Sequence, residues 1–284
     1  MEENIRRENG RVLTLLSGFL NGDARAITAE AVTGLAAECG LSPEEAYEAL
    51  LSAWLEQAPG DAALLRRYLP RMLKRVDASL VREDAYCRAI GSVQAREGDF
   101  TLTTGEVAPM ELFVRDDFRR AADGRIYPQL GWFDEAVAFP AVRERGRDWM
   151  TVTPNEINTM QACLRETRGR VVAYGLGLGY YAFHALLSGD VTSVTVVERS
   201  ADVIGLFERH LLPRFPRPDC LRIVHADAFD HMRDALPREA CDTVFADLWH
   251  DVSDGLPMYK RLKALETPGP RYLYWIEPTL RCYL

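Results

Sequence analysis

Two kinds of apolar spacing divide the chain. Over residues 1–98 apolar side chains recur at helical intervals. Leu13, Leu16 and Leu20 form one stripe, and Val32, Leu35, Ala36 and Cys39 a second. Tyr47, Leu50, Leu51, Trp54 and Leu55 form a third, and Leu64, Leu65, Tyr68 and Leu69 a fourth. Ser42-Pro43-Glu44-Glu45 supplies an N-cap serine, a proline at the first helical position and a glutamate that closes a capping box. Pro70 is expected to kink or interrupt the fourth helix, because it removes an intrahelical hydrogen bond. The stripes predict an N-terminal helical domain. A helix-bundle core is the first use for them, and a dimerisation surface or substrate cap the alternative.

From 99 to 152 the spacing changes. Phe100, Leu102 and Thr104 alternate as in a strand, and residues 110–114 predict a second strand. Residues 126–135, with Phe139 and Pro140, mix aromatics with chain breakers and read as an irregular connecting region beside a cleft. Thr153-Pro154-Asn155-Glu156 is another capping box and predicts a helix over 154–166. Apolar runs then predict strands at 170–175, 192–198, 221–225, 242–247 and 271–276, with room between them for crossover helices. The expected fold is α/β, a doubly wound, mostly parallel sheet over 153–284 behind the helical domain.

The first of these strands breaks into Tyr174-Gly175-Leu176-Gly177-Leu178-Gly179, and the second ends in Glu198 about 20 residues later. Strand, glycine turn, helix, strand and acid make the nucleotide-cradling half of a Rossmann-like fold. Gly175 and Gly177 are expected to let the backbone turn and a ligand approach, and Gly179 to let the helix sit close on the sheet. A carboxylate at position 198 can accept hydrogen bonds from ribose hydroxyls. Nicotinamide dinucleotides usually call for G-x-G-x-x-G, but the sixth position here is Tyr180, so no internal pyrophosphate is implied.

Composition narrows the setting. A formal net charge of -8 argues against nucleic acid as a partner. The basic residues are nearly all arginines, since Lys74, Lys260 and Lys263 are the only lysines. Six cysteines form no close pair and no zinc spacing, as expected of reduced, mostly buried thiols in a cytoplasmic protein. The N-terminus mixes charge signs, and the first apolar run, Val12 to Leu20, is too short to span a bilayer, so neither secretion nor membrane insertion is expected.

Residues 150–277 resemble a class I S-adenosylmethionine-dependent methyltransferase, and within that superfamily the spermidine-synthase-like branch. The matching pieces are Val171–Gly179, Val194–Glu198 with Asp202-Val203-Ile204, His225-Ala226-Asp227-Ala228, and Cys241–Asp247. Most methyltransferases carry an acid two residues before the first glycine. This chain has Ala173 there, and the aminopropyltransferase branch is also apolar at that point.

The resemblance implies S-adenosylmethionine (SAM) as cofactor. Tyr174, Gly175, Gly177, Gly179, Glu198, Arg199, Asp227, Ala228, Asp247 and Leu248 would then form its site. The glycines would pass the methionine moiety and ribose, Glu198 would hold the ribose, and Asp227 and Ala228 would meet adenine. Asp227 can equally cap the next helix. Tyr174, Trp149 and Trp249 are candidates for stacking, with aromatic packing as the plainer use.

Asp247 would sit beside the reacting centre, and as a base it would suit aminopropyl transfer. His250 follows the fourth strand and is a second candidate for base, with Asp251 tuning it; an exposed loop histidine is the alternative. No metal site is expected, because the histidines and acids lack ligand spacing. The expected activity is methyl transfer to a small molecule. Aminopropyl transfer and a non-catalytic binding module, with a dimer as one use of the helical half, are the alternatives.

The polyamine-making members would also carry an acidic, tyrosine-containing segment before the glycine strand, which Pro128 to Glu135 does not match. Glu277 stands seven residues before Leu284, with no antiparallel strand pair between them. The outer edge of the fifth strand is therefore expected to be covered by the strands near 100–104 and 110–114, or by a partner chain.

Overall fold

The computed structural model describes residues 2–250 and 252–284. Helices α1 (Glu2–Gly22), α2 (Ala29–Cys39), α3 (Pro43–Leu55) and α4 (Asp61–Met72) come first, followed by strand β1 (Leu73–Arg75). Two short helices, α5 (Ser79–Arg82) and α6 (Ala85–Ile90), precede strands β2 (Ala95–Glu97), β3 (Phe100–Val107) and β4 (Phe113–Arg120). Strands β5 (Ile126–Trp132), β6 (Val137–Glu144) and β7 (Arg147–Thr151) follow. The remaining elements alternate: α7 (Pro154–Glu166), β8 (Gly169–Tyr174), α8 (Tyr180–Leu187), β9 (Val191–Glu198) and α9 (Ala201–Leu206). Then come β10 (Leu221–His225), α10 (Ala228–Asp234), β11 (Thr243–Ala246), α11 (Val252–Lys263), β12 (Arg271–Tyr274) and α12 (Glu277–Arg281).

The chain divides into two compact units, and neither is contiguous. One comprises residues 1–82 and 106–138, the other 83–105 and 139–284. In the first, α1, α3 and α4 bury Val12, Leu15, Tyr47, Leu51, Leu65 and Tyr68. The sheet β1-β5-β4 belongs to the same unit. Its core is aromatic: the Tyr47 and Trp132 rings stack with centroids 4.0 Å apart, and the Tyr47 hydroxyl donates to the Met110 carbonyl at 2.9 Å. The Ser42 capping box forms on both sides and starts α3. Pro70 lies inside α4, and the expected interruption is the helix end itself, two residues on at Met72.

Residues 126–139 differ from the expected irregular region. They form β5 and the start of β6, and β5 is buried almost throughout. Pro128 is tolerated in β5 because it lies outside the three residues paired with β1 and beside a register shift against β4. The strand expected at 110–114 begins instead at Phe113 and runs to Arg120. Of the second helical stripe only Val32 is buried, and Cys39 ends α2 exposed. The thiols are correspondingly less buried than expected, since Cys163 alone is fully enclosed among the six.

The second unit holds a five-stranded, all-parallel sheet flanked by helices, in the order β10-β9-β8-β11-β12. Counted along the chain this is 3-2-1-4-5, the order of Rossmann-like sheets, which reverses between β8 and β11. The central strands are apolar runs, as buried parallel strands must be: in β8 Val171, Val172, Ala173 and Tyr174 are all buried. Strand β3 joins the separate sheet β2-β3-β6-β7 and β4 joins the first unit's sheet, so neither covers β12, contrary to expectation. Among the described strands β12 pairs only with β11. The segment around α6 is held to the sheet's helices by side chains. Tyr86 is fully buried against Tyr180, Phe183 and Phe215, and its hydroxyl donates to the Leu178 carbonyl at 2.5 Å. Asp84 accepts from the Tyr180 hydroxyl at 3.0 Å.

Among the described residues no helix is long and apolar enough to cross a membrane.

Candidate functional site

Gly175 turns the chain away from β8 with φ +95°, and a Cβ there would lie 2.1 Å from the Asp247 carbonyl oxygen. The glycine is therefore required first by the approach of the β11 end, not by a ligand. At Gly179, the N-cap of α8 with φ +80°, a Cβ would meet Phe207 and Phe215 at 2.6–2.7 Å. The tight contact is therefore with the segment that follows α9, and not with the sheet as expected.

Above the turn lies a cavity of about 510 Å³ at the carboxyl edge of the parallel sheet, beside the point where the strand order reverses. Ligands of open α/β sheets bind there, and the volume is within the range of small-molecule sites. Of the residues singled out in the sequence, Gly175, Gly177, Glu198, Arg199, Asp227, Ala228, Asp247, Leu248 and His250 line it.

Tyr174 and Gly179 do not. Tyr174 is fully buried and turned to α10, where its hydroxyl lies 3.2 Å from His231 Nδ1, so it has no face to offer a nucleoside. Trp149 and Trp249 do line the cavity. The Trp249 indole N–H is buried with no acceptor among the described residues.

Each charged side chain has a distinct setting. Glu198 is buried at the end of β9; one carboxylate oxygen accepts from Leu176 N–H at 3.1 Å and the other from Ser200 N–H at 2.8 Å. It thus ties the glycine turn to the start of α9 while facing the cavity. Asp227 caps α10, accepting from the N–H groups of Phe229 and Asp230 at 2.9 and 3.1 Å, and lines the cavity as well. The capping use is therefore observed, on a residue that also borders the cavity. His250 is exposed, with Nδ1 3.2 Å from the Asp254 carboxylate. Asp251, expected to tune it, lies outside the described residues. Arg261 stacks over the Phe229 ring at 3.7 Å, and both line the cavity beside Asp227.

Asp247 and Glu156 differ from these. No hydrogen bond from a described residue reaches the Asp247 carboxyl, and burial pushes its pKa up to about 7. Burial likewise raises Glu156 to about 8, and the charge of Asp247 pushes the same way. The capping bond from Thr153 N–H, at 2.9 Å, opposes that rise without cancelling it. Both side chains border the cavity and also a small recess of about 40 Å³ behind it, closed by Tyr180, Tyr181 and Phe245.

Glu156 was read from the sequence only as a capping residue. A signal was present. Two residues separate α7 from β8, so the helix runs back along the strand and its first turn must lie at the sheet's carboxyl edge. Asp148, Met150, Met258, Arg261 and Trp275, which also line the cavity, carry no such signal. Among the described residues no group of three or more His, Cys, Asp or Glu could hold a metal ion.

Fold and site together define an α/β protein with a ligand cleft at the switch point of a parallel sheet. Compared with known proteins, the chain matches no family model and no curated protein. Among solved structures it is similar to precorrin 8W decarboxylase of Methanobacterium thermoautotrophicum, at 19% identity and a TM-score of 0.30 over 43% of this chain. The chain spans 62% of that protein's length. A likeness of that strength fixes neither fold type nor chemistry.

Proposed function

We propose that the chain binds S-adenosylmethionine in this cavity and transfers its methyl group to a small molecule. The observation that carries the reading is a buried acid at the end of the second parallel strand, hydrogen-bonded to a glycine turn at the end of the first, with both facing one cavity. The donor set fits the cofactor. Glu198 keeps lone pairs for ribose hydroxyls, and Phe229 and Arg261 offer flat faces at the adenine end. Asp247, and the oxygen of Glu156 that the capping bond leaves free, supply carboxyl groups for positive charge.

The cofactor, when bound, supplies an electrophilic methyl group on sulfur, so the transfer needs alignment more than acid or base. Positioning of this kind contributes on the order of 7–11 kcal/mol. Glu198 and the turn fix the nucleoside. Asp247, with a pKa near 7, can take a proton from a nucleophile that must lose one. The same property favours a second reading, aminopropyl transfer from the decarboxylated cofactor to an amine, in which deprotonation is obligatory.

Calorimetric titration with SAM, its decarboxylated form and NAD tests the reading. Binding of SAM is expected. Preference for the decarboxylated form would favour the second reading, and binding of none would leave a fold without cofactor. Glu198→Ala should weaken binding at least tenfold, equivalent to about 1.4 kcal/mol; unchanged affinity would remove Glu198 from the site.

A further inference from the structure

The geometry points to Glu156, paired with Asp247, as the receptor for the ammonium group on the ligand's amino-acid arm. This assignment rests on the SAM reading above and adds a residue to it. The position two residues before the first glycine is Ala173, buried inside β8, so no acid is available there. The cavity's deep end instead carries two carboxyls, from the first turn of α7 and the end of β11, close enough for the charge of Asp247 to raise Glu156. The recess behind them has room for one small group: about 10–15 Å³ suffices for a water, and an ammonium is of similar size.

Among the described residues no cation offsets the pair at that end. The groups around Glu156 are Tyr180 and Tyr181 of α8 in the recess, and Tyr86 and Cys87 of α6, whose own pKa values its charge helps to raise. From the strands, Asp148 and Glu198 add negative charge to the cavity. Arg261 stacks over Phe229 of α10, the helix that Asp227 caps, Arg199 follows Glu198 at the end of β9, and His250 is exposed and paired with Asp254. An ammonium entering the recess therefore finds two carboxyls and no competitor. Before ligand binds, burial favours the protonated form of Glu156 at neutral pH, with Asp247 near its midpoint. When the ammonium arrives with its three N–H donors, a carboxyl proton leaves to solvent and a carboxylate accepts the hydrogen bond. One proton is released for each ligand bound.

The test is calorimetry at pH 7.5 in phosphate and in Tris, whose different ionisation enthalpies reveal the protons released. The ligands are SAM and 5′-methylthioadenosine, a nucleoside without the amino-acid arm. With the unaltered protein, SAM should release close to one proton and 5′-methylthioadenosine none. Glu156→Gln keeps a side chain that can close the capping box, so α7 should still form. In that variant proton release should fall by at least half and SAM affinity at least tenfold, with 5′-methylthioadenosine affinity within twofold of the original. Equal weakening of both ligands, or unaltered proton release, overturns the assignment. Binding of 5′-methylthioadenosine with no gain and no proton release for SAM overturns it while leaving the nucleoside site standing. If neither ligand binds, both readings fall.

Discussion

Asp61 in the first unit and Asp247 in the second are enclosed aspartates with opposite fates. Asp61 is met by two bonds from the Arg11 guanidinium, at 3.0 and 2.7 Å, and accepts two more from the N–H groups of Gln57 and Ala58. These hold its pKa down at about 2. Asp247 has no partner for its carboxyl among the described residues and is pushed up to about 7 by burial alone. A carboxylate whose lone pairs are all used inside the fold is committed to structure. One left without donors costs stability, and such groups cluster at functional sites.

The sharpest way to break this contrast is Arg11→Met. It strands the Asp61 charge inside the first unit and should lower stability at pH 7, by less than the loss of a fully buried pair would because Arg11 is partly solvated. Urea unfolding would show it. The native carboxyl at about 2 against an ordinary 3.8 means that Asp61's contribution is present above pH 4 and disappears as pH falls toward 2. The variant's deficit should therefore vanish in acid, and a deficit of the same size at pH 2 would show that packing, not charge, was lost.

Glu156 and Asp247 should behave the other way. Their native pKa values, about 8 and 7, lie above the ordinary 4.5 and 3.8, so the folded protein binds more protons than the unfolded chain between about pH 4 and 8. Stability contributed by the protonated pair is full near pH 4 and is lost as pH rises through 7–8. Asp247→Asn, measured without ligand at pH 8, should then stabilise the protein by about 1–2 kcal/mol. That corresponds to a melting temperature higher by roughly 2–4 °C per kcal/mol. The gain should fade toward pH 4. A loss of stability at pH 8 would mean that Asp247 has a partner after all.

The smallest effect is expected from Tyr86→Phe. It keeps the aromatic packing around Phe183 and Phe215 and removes one donor to the Leu178 carbonyl. The loss should be about 1 kcal/mol in thermal unfolding, independent of pH. No change would mean that the carbonyl finds another donor.

The parallel sheet was legible because its inner strands β8 and β11 are largely apolar and bounded by glycine or acid, and the outer ones keep a β-branched or aromatic run. All five observed strands lie within a residue or two of the expected spans. The sheets outside it were less legible. In β5 an aromatic, a proline and a glycine follow one another, and the burial that makes it a strand comes from residues far away in sequence. At the site, glycine and acid positions could be read because each has a local job at a strand end. Tyr174 misled, since its side of β8 is set by the strand's pleat and the neighbouring α10. Glu156 shows the converse. Its capping role is local and complete, which hid that the same carboxyl also faces a cavity.

The interleaving of the two units has a consequence for how the protein is made. On the ribosome, residues 83–105 emerge before residues 106–138, which complete the first unit, and well before 139–284, which they belong with. The segment bearing Tyr86 must therefore wait, its apolar side chains uncovered, for the glycine turn to be synthesised. The first unit can close only around a loop that leaves and returns. A clone cut at residue 99 or 139 would strand part of one unit on the other's polypeptide. Separate expression of either half calls for a rewired chain in which the distant pieces are joined by a linker.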